Sequence, residues 1–141
     1  MAGVGIPLDL WEYLRGGIAY VESSGGKVPY SYVHPGGVAY GPLGLTAKAF
    51  EDVQRIFPEY KRYKWEDIIR NPNLYEDVAK KYADIISRLY LHLSYTLPRE
   101  EIMKILGEAW RGPIAYKKGT LTPLPQRTRS LEEYIRKYRR R

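Results

Sequence analysis

Apolar residues recur at Leu10, Leu14, Ile18 and Val21. Their spacing places them on one face of a helix over about Leu8 to Ser24. Asp9 supports its N-terminus, Gly16 and Gly17 weaken it internally, and Gly25-Gly26 ends it. Residues 25–44 lose all periodicity and are rich in glycine, proline and tyrosine, which predicts a long loop. A second helix is expected from Leu45 to Ile56, before Pro58, and a short one around Trp65 to Ile69. The clearest pattern follows: Leu74, Val78, Tyr82, Ile85, Leu89 and Leu93 form one stripe, with Lys80, Lys81, Asp84 and Arg88 opposite. Arg99 to Trp110 forms another helix, with Pro98 at its start. Gly119 to Gln126 reads as a linker, and Leu131 to Tyr138 as a last short helix. These elements predict a mainly α single domain of about five to seven helices. Its expected extent is 1–118, with 119–141 as a Pro-containing linker and basic tail.

Charge sharpens that division. The chain of 141 residues carries a net charge of +7. Residues 127–141 hold seven basic residues and two acids, giving +5, so the rest is near neutral. Charge therefore points to a partner for the tail. The chain has no cysteine, which excludes disulfides and thiolate chemistry. His34 and His92 are too far apart in sequence for a usual zinc spacing, so no metal is expected. No apolar run approaches the length of a membrane-spanning helix, about 20 residues. Few Asn and Gln, 14 tyrosines and many charges lean toward a thermophile source.

Three stretches carry candidate chemistry. Tyr20-Val21-Glu22-Ser23-Ser24-Gly25 puts a Glu-Ser pair at the end of an apolar helix. Tyr40-Gly41-Pro42-Leu43-Gly44-Leu45-Thr46 is a Gly-x-x-Gly-Leu turn opening a helix. Gly107-Glu108-Ala109-Trp110-Arg111-Gly112-Pro113 closes a later helix. In this order they resemble the lytic transglycosylase family and its goose-type lysozyme relatives. Asn71-Pro72-Asn73-Leu74 adds to the likeness, which covers about Leu8 to Tyr116. Two departures stand out. Thr46-Ala47 replaces the family's Met-Gln, and Ala109-Trp110-Arg111 replaces its Ala-Tyr-Asn.

The resemblance implies a lysozyme-like fold and cleavage of the β-1,4 bond between N-acetylmuramic acid and N-acetylglucosamine. Glu22 is the implied catalytic acid. Ser23, Tyr40, Gly44, Leu45, Thr46 and Trp110 are the implied substrate-binding residues. The chemistry suits Glu22 independently. Glycoside cleavage needs a protonated carboxyl beside the leaving oxygen. A position next to an apolar face, near a helix C-terminus, disfavours the charged form. The family often works with one carboxylate, because the substrate's acetamido group attacks the anomeric carbon. Glu51, Asp52 and Asp67 are the candidates if a second acid activates water.

Plainer readings stand beside these. Glu22 reads also as a surface acid, Gly41 and Gly44 as turn geometry, and Trp110 as core. Ser23 and Ser24 read as helix-end hydroxyls, His34 as an exposed loop residue and Tyr82 as core. The implied partner is peptidoglycan, met by a monomer without cofactor, the tail touching anionic cell wall or a membrane surface. The Met1 to Pro7 stretch lacks the features of a secretory signal, which suits a cell-wall enzyme of phage-lysin type released from the cytoplasm. Two competing expectations remain. One is a small basic protein gripping nucleic acid with its Arg-rich tail, and the other is a lysozyme-like domain that only binds glycan.

Overall fold

The computed structural model describes residues 5–138. It is mainly helical, with seven α-helices and one two-stranded antiparallel sheet among the described residues. The helices are α1 (Leu8–Ser23), α2 (Ala47–Ile56), α3 (Trp65–Arg70), α4 (Pro72–Ile85), α5 (Arg99–Ala109), α6 (Pro113–Lys118) and α7 (Pro125–Lys137). The sheet joins β1 (Ala39–Tyr40) to β2 (Leu45–Thr46), with Tyr40 opposite Leu45.

Local signals set most boundaries. Ser24 ends α1 in the left-handed conformation at φ 54°, and Gly25 and Gly26 continue at φ 100° and φ 81°. Thr46 caps α2, its Oγ1 accepting from the Ala49 amide at 3.0 Å. The two residues before Ala47 pair as β2, so α2 begins later than its apolar pattern suggests. Asn71 caps α4, with Oδ1 accepting from the Asn73 and Leu74 amides, and Pro72 fills the first turn.

The core has two halves. In one, α1, α5 and α7 pack together; in the other, α4 packs on α2 and α3. Leu14, Ile18, Ile102, Met103 and Leu106 meet in the first half, while Val53, Ile68, Tyr75, Val78 and Ala79 fill the second.

Three expectations are corrected. On α4 the expected Val78, Tyr82 and Ile85 are buried, but the stripe starts at Tyr75, with Leu74 only partly buried, and it includes Ala79 and Ala83. After Ile85 the chain makes a π-helical turn, Ile86–Tyr90. Its wider repeat throws Leu89 off the stripe, and Leu89 is 50% exposed. Asp84, expected on the solvent face, is buried. It accepts from Arg88 at 2.9 Å and 2.7 Å and from the Tyr95 hydroxyl at 2.5 Å, as a buried carboxylate must find donors.

The largest correction concerns the C-terminal segment. The expected last helix at Leu131 to Tyr138 is present but starts earlier, at Pro125, and its Leu131 and Tyr134 join the core, so 125–137 belong with the domain. Leu131 and Tyr134 are buried, and the Tyr134 hydroxyl donates to the Tyr13 carbonyl at 2.7 Å. Glycines make room for it. A Cβ on Gly107 would meet Leu131 Cδ2 at 2.5 Å, and one on Gly16 would strike the Tyr134 ring. Gly16 therefore gives up helix propensity for close approach. Arg139, Arg140 and Arg141, part of the expected basic tail, lie outside the described residues.

Candidate active site

Glu22 lies in the last turn of α1 and lines a cavity of about 170 Å³. Gly44, Leu45, Thr46, Ala49, Tyr82, Trp110 and Arg111 share that wall. The three candidate stretches, far apart in sequence, thus converge on one space. A second cavity of about 340 Å³ adjoins it through the shared residues Thr46, Ala49, Tyr82 and Arg111. Its outer wall includes Val38, Lys48, Asp52, Tyr90 and Ile114. A groove of this size falls in the range of about 300–1,000 Å³ that takes small-molecule groups.

The Gly-x-x-Gly-Leu turn is held from below. Gly41 adopts φ 77° and Gly44 adopts φ 61°, where a side chain is strained. Tyr75 organises the turn: its hydroxyl donates to the Tyr40 carbonyl at 2.5 Å and accepts from the Leu43 and Leu45 amides at 3.1 Å and 3.4 Å. A Cβ on Gly41 would meet that hydroxyl at 2.7 Å. Burial pushes the Tyr75 phenol well above its ordinary range, which keeps the hydroxyl protonated as a donor. Glu76, the next residue, is held by Arg15 at 2.7 Å and 2.6 Å and by the Tyr30 hydroxyl at 2.9 Å, tying α1, the loop and α4 together.

The expected binding residues divide in two. Gly44, Leu45, Thr46 and Trp110 line the cavity with Glu22. Ser23 and Tyr40 line neither cavity. Ser23 Oγ donates to the Pro42 carbonyl at 2.7 Å, clamping α1 to the turn. The Tyr40 ring stands edge-on to Trp65, with 5.5 Å between centroids, a favoured aromatic geometry. Trp110 does both tasks. It is 4% exposed, its Nε1 donates to the Leu43 carbonyl at 2.8 Å, and its ring forms part of the wall. His34 Nε2 donates to the Gly41 carbonyl at 2.7 Å, so this histidine braces the turn.

Among the other acids, Asp67 accepts from the Lys64 amide at 2.8 Å and serves as a helix cap. Glu51 is exposed on α2 and lines neither cavity. Asp52 reaches the outer cavity, where Arg55 lies 2.9 Å from it. Glu22 is thus the one carboxylate lining the inner cavity among the described residues. Those residues contain no cluster of His, Asp or Glu able to hold a metal ion, and no helix long and apolar enough to cross a membrane.

The pattern of the chain gave no sign of the closest partner of Glu22. Arg127, on the first turn of α7, donates from Nη1 to Glu22 Oε2 at 2.7 Å. Its Nε and Nη2 both donate to the Gly107 carbonyl, at 3.0 Å and 2.8 Å. The two side chains are 9% and 17% exposed, so the ion pair is largely desolvated. The expected tail thus places a cation inside the site, against the carboxyl whose apolar, helix-end position alone was expected to disfavour charge. The other carboxylate oxygen, Oε1, lies over Gly44, where a Cβ would meet it at 2.7 Å.

No family model, no curated protein and no solved structure matches the chain.

Proposed function

We propose that this chain is a peptidoglycan-cleaving glycosidase, of lytic transglycosylase or lysozyme type, with Glu22 as its acid. One observation carries the reading. The Glu-Ser, Gly-x-x-Gly-Leu and Ala-Trp stretches meet at one cavity, and Glu22 is the carboxylate lining it. That is the arrangement single-acid cleavage of a glycan requires. The adjoining cavity supports the reading by extending the space beyond Glu22.

In this mechanism protonated Glu22 gives its proton to the glycosidic oxygen as the bond from that oxygen to the anomeric carbon breaks. The electron pair of the bond stays with the leaving oxygen. The acetamido oxygen of the N-acetylmuramic acid ring closes on the anomeric carbon from the other face. Glu22, now a carboxylate, then takes a proton from the incoming hydroxyl, whose oxygen bonds to the anomeric carbon as the acetamido oxygen leaves it with the electron pair of that bond. That hydroxyl belongs to water in hydrolysis and to the sugar itself when an anhydro ring forms. Trp110 and Tyr82 give the cavity an aromatic wall, against which a sugar face packs.

The test is clearing of purified peptidoglycan with mass analysis of the products, comparing wild type with Glu22→Gln. The expected result is cleavage by the wild type and its loss in the variant. Anhydro ends identify a transglycosylase, and reducing ends a lysozyme. A wild type that binds glycan strands without cleaving them makes the domain a glycan binder instead.

A further inference from the structure

We propose that Arg127 is the positioning residue for Glu22: it fixes Oε2 and leaves Oε1, over Gly44, as the oxygen that carries the proton. The inference rests on the reading of Glu22 as the acid. It adds a working part from α7, a helix beyond the stretch that resembles the transglycosylases.

The guanidinium is placed by the fold and not by Glu22. Two of its nitrogens are committed to the Gly107 carbonyl at 3.0 Å and 2.8 Å. The next residue, Thr128, donates to Glu108 Oε2 at 2.6 Å, which pins the same turn of α7 to α5. One turn further on, Leu131 packs against Gly107. With the side chain 9% exposed, the guanidinium has little room to swing. Nη1 is then presented to Glu22 Oε2 at 2.7 Å by a rigid fork. A lysine at this position supplies charge but not the planar fork that reaches the Gly107 carbonyl and Glu22 together.

Two oxygens of one carboxylate thus have different surroundings. Oε2 is occupied by an N–H donor, and a proton there would collide with it. Oε1 lies over Gly44, which lines the cavity with Glu22, and with Oε2 taken it is the oxygen left for a leaving group. After proton transfer, the carboxylate formed on Glu22 meets a cation already in place, which stabilises the charge as it develops.

The remaining charged or titratable groups near Glu22 act differently. Arg111, just after α5, lines the same cavity but donates to the Thr122 carbonyl. Glu108 on α5 is taken by Thr128. From α4, Tyr75 is bonded to the turn, and Tyr82 lines the wall with its phenol pushed well up by burial. From α2, Asp52 lies in the outer cavity beside Arg55. Among the described residues, Arg127 is the cation bonded to Glu22.

The experiment compares wild type, Arg127→Met, Arg127→Lys and Glu22→Gln on soluble glycan strands, with kcat and KM measured separately across pH. Circular dichroism checks folding. Met keeps the bulk of the stem and removes the charge. The expected result for R127M is a KM within about twofold of wild type and a kcat lower on the order of a hundredfold, the scale of a misplaced catalytic group. R127K, which keeps the charge without the planar fork, recovers part of kcat. Should R127M not fold, R127K against wild type decides: equal kcat overturns the inference.

A substrate-free readout separates this inference from the reading it rests on. The side-chain carboxyl carbon of Glu22 is observed by carbon-13 NMR in wild type and R127M. A wild type that cleaves nothing, with a carboxyl resonance that still shifts in R127M, removes the enzyme reading and keeps the pairing. An unmoved resonance, or an R127M with wild-type kcat, overturns the role of Arg127.

Discussion

Gly44 is the residue on which the cavity is most exacting. Its φ of 61° penalises any side chain, and a Cβ would stand 2.7 Å from Glu22 Oε1. Gly44→Ala is therefore expected to lower cleavage on the order of a hundredfold while costing about 1–2 kcal/mol of stability for the left-handed backbone. Rates on glycan strands and a urea titration check the two effects separately. Trp110→Phe removes the donor to the Leu43 carbonyl and leaves that buried acceptor unpaired. The expected cost is about 1–3 kcal/mol, read from the urea midpoint. At this scale the sequence was informative. Glu22, Gly44, Leu45, Thr46 and Trp110 stand in short motifs whose order and spacing could be read directly, and all five line the cavity. Ser23 and Tyr40 belong to the same motifs but work on the backbone and on Trp65, because a motif fixes neighbourhood and not the direction of each side chain. Arg127 sits among other basic residues in a polar stretch, and nothing in its surroundings marks it as buried.

The helix α7 explains why. Its buried residues are Leu131 and Tyr134, too few to make an apolar stripe stand out from the charges around them. Its docking site is legible instead in the partner helices, as glycines at positions where helix propensity disfavours them. Gly107→Ala tests this. In an isolated helix, alanine gains about 1 kcal/mol over glycine. Here a Cβ would meet Leu131 Cδ2 at 2.5 Å, so overpacking is expected to outweigh that gain and lower the melting temperature. Leu131→Ala, from the other side of the contact, is expected to cost about 2–5 kcal/mol. A calorimetric comparison of the two variants with wild type checks both signs. The helices α1 and α5 were readable because each carries a recurrent apolar face and a clear stop. The short α6 was not, having no buried residue to create a pattern.

For the whole molecule, the tyrosines set the response to alkali. Burial first, with Tyr13 and Tyr138 nearby, pushes the Tyr134 phenol up to about 12. Burial also raises Tyr60, Tyr75, Tyr82 and Tyr95. An unfolded chain ionises these phenols near pH 10. Each group's contribution is thus fully present below about pH 10 and is lost as pH rises toward the folded-state value. Melting temperatures are expected to hold level to about pH 9.5 and to fall through about pH 10–12. A flat profile across that interval would contradict the buried phenols. The helical class was legible from periodicity, whereas the packing of α7 on α1 and α5 depends on shape between distant segments.

The bond between Glu22 and Arg127 spans 105 residues. A ribosome makes the chain from its N-terminus, so the acid emerges 105 residues before its arginine. Closing so long a loop comes late in folding, after the local helices have formed. Completion of the candidate site is then tied to the arrival of α7, which follows the acid by about a hundred residues. A product of early termination would keep the Glu-Ser and glycine motifs and still lack a finished site. Translation itself becomes the timer for assembly.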